Sequence, residues 1–245
     1  MKNSITLLIL LFCLPLFVPA QEEESEAPDY RMVELNYMKP KVGMEDKFVE
    51  AVKKHNAEYH DEESPYDATL FYVRAGEDAG WFVWAMGTMT FTDMDDAPGK
   101  GDHRDDWSKS VAPYVAQYGD IEFWRYNEAL SSSDGDSEMM EILWFLDIKE
   151  GEYYRFKAFM EKTQKIFADK EEDAHIWMGR FTANDRDVAI SFPFDQWSDL
   201  DEEDWSMKEA YDEEYGEGTW DNALEEWEDF VEGNSRQIWM TVPGS

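Results

Sequence analysis

Few residues in this chain can do chemistry on their own account, and its four histidines are the first of them. His175 begins a strand-like stretch, and strand alternation would put Trp177 and Gly179 on its face. A glycine there leaves room beside Trp177 for a flat ligand. The plainer reading is a hydrogen-bonded histidine at a strand edge. His55 falls on the apolar face of a helix, which suits a satisfied histidine at the core margin. His60 sits in an acidic context at the end of that helix, and His103 stands in the acidic stretch Gly101-Asp102-His103-Arg104. No two histidines have H-x-x-x-H spacing with a third partner, so no zinc site is expected.

Arg74 and Arg180 are the next candidates, because they occupy matched positions 106 residues apart in a chain poor in bases. Guanidinium groups grip carboxylates in a two-pronged way, so the pair could address one acidic ligand. They could equally neutralise acids at neighbouring turns. The acidic runs Asp93-Met94-Asp95-Asp96 and Asp199-Leu200-Asp201-Glu202 read as capping and turn segments. They lack the glycine-punctuated spacing of a calcium loop. No nucleophile elbow, phosphate loop or dinucleotide fingerprint is present.

The elements that must position these residues come twice. Phe91-Thr92-Asp93-Met94-Asp95-Asp96 is echoed by Trp197-Ser198-Asp199-Leu200-Asp201-Glu202, 106 residues on, and at the same offset Asp67-Ala68 meets Asp173-Ala174 and Phe71 meets Trp177. A shared offset of this kind marks an internal duplication. The alternation of Val33, Leu35 and Tyr37 predicts a strand over 31–39, and Phe48, Ala51, Val52, His55 and Tyr59 predict a helix over 44–59. Strands follow at 69–75 and 81–90, then a helix carrying Trp107, Val111, Tyr114, Val115 and Tyr118, then a strand at 121–126. After a Ser-rich linker the order returns: strand 139–148, a helix with Phe156, Phe159, Met160, Thr163 and Phe167, and strands 175–181 and 188–194. An added helix at 204–215 precedes a helix with Trp220 through Val231, stopped by Gly233, and a last strand at 237–242.

Composition bounds the surroundings. Lys2 followed by the apolar run Ile5 to Val18 and by Val18-Pro19-Ala20 reads as an export leader over 1–20. Its removal would take away Cys13, the one cysteine, leaving neither a disulfide nor a thiolate ligand. Residues 21–29 read as an acidic spacer, expected to lack fixed structure. The net charge of −34 excludes nucleic acid and anionic membranes as partners, while the 16% of aromatic residues demands a real core.

Each unit is thus β-α-β-β-α-β, the ferredoxin-like order, and its strands are too apolar on both faces to leave one in water. The fold expected is α+β: two tandem ferredoxin-like units, 30–130 and 138–243 joined by the linker 131–137, packed sheet to sheet as a pseudo-dimeric α+β barrel. The order, the unit length and the helix entered through Lys41-Val42-Gly43-Met44-Glu45-Asp46-Lys47-Phe48 resemble the dimeric α+β barrel superfamily. That group includes antibiotic-biosynthesis-monooxygenase-like, NIPSNAP-like, haem-degrading and chlorite-dismutase-like proteins. The resemblance implies a pocket between sheet and helices or inside the barrel. Haem-degrading members use an Asn on the first strand and a His near the second helix, which points to Asn36 and His103.

The function expected is an exported, periplasmic or extracellular barrel that binds a small apolar or aromatic molecule. Its pocket would be lined by Phe71, Trp84, Trp144 and Trp177, with Arg74, Arg180 and His175 as polar contacts. A cofactor-independent monooxygenase or haem-processing enzyme using Asn36, His103 or His175 is the alternative. An acidic structural module of the cell envelope is a third. No metal and no cofactor is expected, haem at His103 being held open. The chain would stay out of the membrane and work as a pseudo-dimeric monomer or a homodimer.

Overall fold

The structure is a computed structural model that describes residues 29–60, 65–133, 139–183, 185–201 and 205–245. The leader, nearly all of the spacer and most of the linker lie outside the described residues, as does Asn184. Eight strands run in chain order: β1 (Met32–Pro40), β2 (Ala68–Ala75), β3 (Phe82–Met89), β4 (Val115–Tyr126), β5 (Met140–Ile148), β6 (His175–Phe181), β7 (Val188–Phe194) and β8 (Val231–Thr241). The helices are α1 (Glu45–Tyr59), α2 (Asp102–Asp106), α3 (Tyr153–Asp169), α4 (Met207–Tyr215) and α5 (Thr219–Phe230). Each unit builds one antiparallel sheet, β4-β1-β3-β2 and β8-β5-β7-β6. The sheets join edge to edge through β2–β8 and β4–β6 into a closed barrel. Closure satisfies the backbone of every edge strand, which an open sheet of this apolarity could not do safely.

Strand alternation divides the core in three. Leu35, Tyr37, Val73, Val83, Trp124, Leu143, Phe145, Ala189 and Trp239 line the barrel interior. The opposite faces carry Met38, Leu70, Phe82 and Trp84 under α1 in the first unit, and Leu146, Ile176, Val188 and Ile190 under α3 and α5 in the second. The paired acidic repeats do the same work in both units. The Asp93 carboxylate accepts from the Thr90 N–H and hydroxyl (2.6 and 2.7 Å), and that of Asp199 accepts from the N–H groups of Asp195 and Gln196 (3.2 and 3.0 Å).

Two elements differ from expectation. The helix expected to carry Trp107 to Tyr118 is cut short: α2 has five residues, Trp107–Val111 widens into a π turn and Ala112–Tyr114 forms a 3₁₀ turn. Pro113 lacks the N–H that would continue a helix, and β4 takes the chain from Val115, pairing Tyr118 with Met38. Likewise Gly233 does not end a helix. β8 begins at Val231 directly after α5, and Gly233 pairs with Asp147. Among the described residues no helix is long and apolar enough to cross a membrane.

One end of the barrel is closed by a buried ionic network that joins the units. Arg186 (5% exposed) donates to Asp78 at 3.0 Å and to the Tyr37 hydroxyl at 3.4 Å, lies 3.8 Å from Glu122 (1% exposed), and rests on the Phe145 ring. Gln237 also donates to Asp78, and Trp124 to Glu122. Burial pushes the Glu122 carboxyl up, while Trp124 and Arg186 pull it back. Removing one partner of such a set strands a buried charge. Arg186→Met is expected to cost about 3–5 kcal/mol in urea unfolding. Adding Glu122→Gln should recover part of that loss, and strict additivity of the two would count against the network.

Candidate metal centre

Three of the four histidines meet on the outer side of the first sheet. His55 is on α1, His60 follows its last turn, and His103 lies on α2. The Nε2 atom of His103 is 3.1 Å from the Nε2 atoms of both His55 and His60. All three atoms lie within 4.8 Å of one another. Tetrahedral coordination with metal–nitrogen bonds of about 2.0–2.1 Å would hold ligand nitrogens roughly 3.3 Å apart, so two of these spacings are close to those of a ligand set.

The outward nitrogens fix the inward ones. His55 Nδ1 is 2.8 Å from the Asp106 carboxylate, and His60 Nδ1 is 2.7 Å from the Tyr66 carbonyl oxygen. Both partners only accept, so each Nδ1 carries its proton, and in the neutral rings each Nε2 presents a lone pair to the centre. His103 can supply one proton at most to its two contacts. The set therefore has too few hydrogens to satisfy itself, and a cation would resolve the clash of lone pairs. Carboxylate and carbonyl partners behind the ligating imidazoles are the usual second layer of such sites. Among the described residues, His103 Nδ1 is buried with no partner of its own.

Local folding explains the convergence. Trp84 on β3 donates to Asn56 at 3.0 Å, and Asn56 donates to the Ala68 carbonyl, which pins the end of α1 to the sheet. The early end of α2 and the π turn then set His103 and Asp106 over that end, with Trp107 edge-on to His55 (5.0 Å) and Trp84 edge-on to His60 (5.0 Å). Ser110 donates to Asp106 at 2.8 Å. The bonds from His55 and Ser110 hold the Asp106 carboxyl below the usual range. Burial lowers His103, and it lowers His60 to about 4, the neighbouring histidines adding to the effect. His60 therefore stays neutral, and fit to bind metal, well below pH 7.

The residues singled out in the sequence scatter. Trp84 borders the histidines, and Asn36 is its cross-strand neighbour on the same face, its amide donating to Glu34 at 2.7 Å. Phe71 and Trp177 point into the barrel. Trp144 lies on the outer face of the second sheet beneath the Arg236 guanidinium, in a cavity of about 460 Å³ with Thr163, Phe167 and Ile190. Arg74 and Arg180 are exposed. Arg180 borders an outer groove with Tyr30 and Arg125, while Arg74 lines none of the cavities described here among the described residues. His175 is buried with its Nε2 2.7 Å from the Ser133 hydroxyl. The room expected beside Gly179 is filled, since a Cβ there would come within 2.8 Å of the Arg186 carbonyl. His55 and His60 are the site residues that sequence reasoning missed. The available signal was asymmetry: at an offset of 108 their counterparts are Thr163 and Ala168, so the second unit carries no such set.

No family model and no curated protein matches the chain. Solved structures do. A "putative monooxygenase" from Lactobacillus acidophilus NCFM superposes with a TM-score of 0.52 at 10% identity, covering 87% of this chain and 94% of that one. An anthrone oxidase-like protein gives 0.51 at 12% identity over 87% and 92%. A chlorite dismutase from Candidatus Nitrospira defluvii gives 0.54 at 9% over 89% and 94%. At such identities the likeness is one of fold, and that fold is the dimeric α+β barrel, here made by a single chain.

The lowered pKa of His60 has a stability consequence with a definite sign. The unfolded chain protonates this ring near pH 6.5 and the folded chain only near 4, so the unfolded state gains protons across that window. Stability of the metal-free protein is expected to fall as pH drops from about 6.5 to 4, measured by urea unfolding. In His60→Gln the slope over that window should flatten, and an unchanged slope would assign the effect elsewhere.

Proposed function

We propose that this chain is a metalloprotein in which His55, His60 and His103 hold one first-row divalent ion, leaving a coordination position free for water or a small molecule. The observation that carries the reading is the 3.1 Å convergence of three Nε2 atoms whose rings are anchored through Nδ1. Three imidazoles suit zinc, copper, iron or nickel better than calcium or magnesium. Three protein ligands are the number typical of catalytic zinc, where the ion activates a bound water or polarises a substrate oxygen. The charge of −34 favours cations near the surface.

A haem on His103 fits this arrangement poorly. Its Nε2 already faces two imidazole nitrogens at 3.1 Å, where an axial ligand would need a porphyrin face. The neighbours' names span oxygenation and chlorite chemistry, and a three-histidine ion with an open position is compatible with oxygen chemistry. The residues earlier assigned to a cofactor-free oxygenase are otherwise engaged: Asn36 with Glu34 and His175 with Ser133. Small-molecule binding stays part of the reading, supported by the aromatic lining of the barrel. The leader-like segment 1–20 supports export. Closure of all eight strands within one chain supports a pseudo-dimeric monomer or a homodimer of such chains.

Zinc titrated into chelator-treated protein is expected to bind once per chain. At a free concentration a hundredfold above Kd it should add about 2.7 kcal/mol of stability, a rise of roughly 5–10 °C in Tm. His55→Ala and His103→Ala should each abolish that rise. Zinc that stabilises these variants as well as the parent would place the ion elsewhere.

A further inference from the structure

A second site lies inside the barrel and owes nothing to the histidines. A cavity of about 190 Å³ occupies the barrel interior, walled by Phe71, Phe145, Trp124, Trp177 and Trp239. Two of the indoles turn their N–H groups away from it, Trp124 to Glu122 and Trp239 to Gln237, and so offer ring surface to the cavity. Exposed Thr88 also lines it, so the space meets solvent at that rim.

Into this aromatic space projects one carboxyl group, Glu141 on β5. Its cross-strand neighbours are Pro193 and Trp239, and its carboxylate accepts from the Ser191 hydroxyl at 2.5 Å. Among the described residues no Lys or Arg forms an ion pair with it. This contrasts with Glu122 at the opposite end, which has Arg186. An acid placed among aromatic rings without a cation is costly, and a cationic guest would offset that cost.

We propose that the barrel cavity binds a single-ring aromatic amine, its ring among the tryptophans and its ammonium on Glu141 and Ser191. The volume suits one ring, since a dry apolar cavity of about 150 Å³ takes benzene. Tryptophan faces attract an ammonium as well as a ring. The strongly acidic surface draws cations and repels anions. Burial raises the Glu141 carboxyl, with the Ser191 bond opposing, so a bound ammonium would shift it back toward the carboxylate. The proposal is independent of the metal centre.

The test uses 2-phenylethylammonium as probe, with toluene and phenylacetate as controls, followed by calorimetry and tryptophan fluorescence on chelator-treated full chain. The amine is expected to bind once per chain at least tenfold more tightly than toluene, and phenylacetate not at all. Glu141→Gln should weaken the amine tenfold or more and leave toluene unchanged, whereas His103→Ala should leave the amine unchanged. Should Glu141→Gln not fold, Ala85→Leu, which fills the same cavity, must abolish both ligands. Absence of amine binding, equal binding of amine and phenylacetate, or an amine affinity indifferent to both cavity variants would overturn the proposal. Loss of binding in His103→Ala would also overturn it, by moving the amine to the metal centre.

Discussion

The structure rests on the pairing of four sheet edges, β2 with β8 and β4 with β6. A ferredoxin-like unit alone has two raw edges and one bare apolar face, and neither is tolerable in water. Joining two units edge to edge removes both faults at once. It also fixes what every strand residue must be. Residues of one parity face the barrel interior, which holds aliphatic and aromatic side chains and a few polar groups. Those of the other parity face helices, where clefts remain between sheet and helix. Arg186 makes closure specific, because its partners Tyr37, Asp78 and Glu122 all come from the other unit.

Duplication then allowed the two outer clefts to diverge. In the second unit the space between sheet and helix is apolar, with Trp144, Thr163, Phe167 and Ile190. In the first, Asn36, His55, Tyr59 and Trp84 stand at the matching positions. Truncation of the second helix at Pro113 made the difference useful. Its counterpart α5 in the second unit is a full helix of 12 residues. The short α2 and its π turn instead bring His103, Asp106 and Trp107 to the end of α1. π turns are frequent where a helix has been bent to a function.

Much of the fold was legible because it is written in period and repetition. The alternation of Val33, Leu35 and Tyr37 gave a strand with its inward face, and Phe48, Val52 and His55 gave a helix with its buried one. The 106-residue offset tied the halves together. The candidate site was much less legible. His55 was readable as a buried residue of α1, but buried histidines usually serve packing, and a five-residue gap to His60 matches no ligand motif on a continuous helix. It works here because His60 lies just beyond the helix, where its backbone has turned. The contribution of His103 depends on a helix ending early. Period favoured a longer one, since Trp107, Val111 and Tyr114 fall on one face. Tertiary pairing of β4 overrode that pattern. The inward aim of Glu141 was likewise hidden, because which side of β5 faces the interior is a matter of register that alternation alone leaves open.

The central claim is that three imidazole nitrogens share one ion. X-ray absorption on zinc-loaded protein tests it most directly. The account predicts a first shell of light atoms near 2.0–2.1 Å, fitted with three imidazole rings and one further oxygen or nitrogen. A shell dominated by carboxylate oxygens, or containing no more than one imidazole, would contradict it.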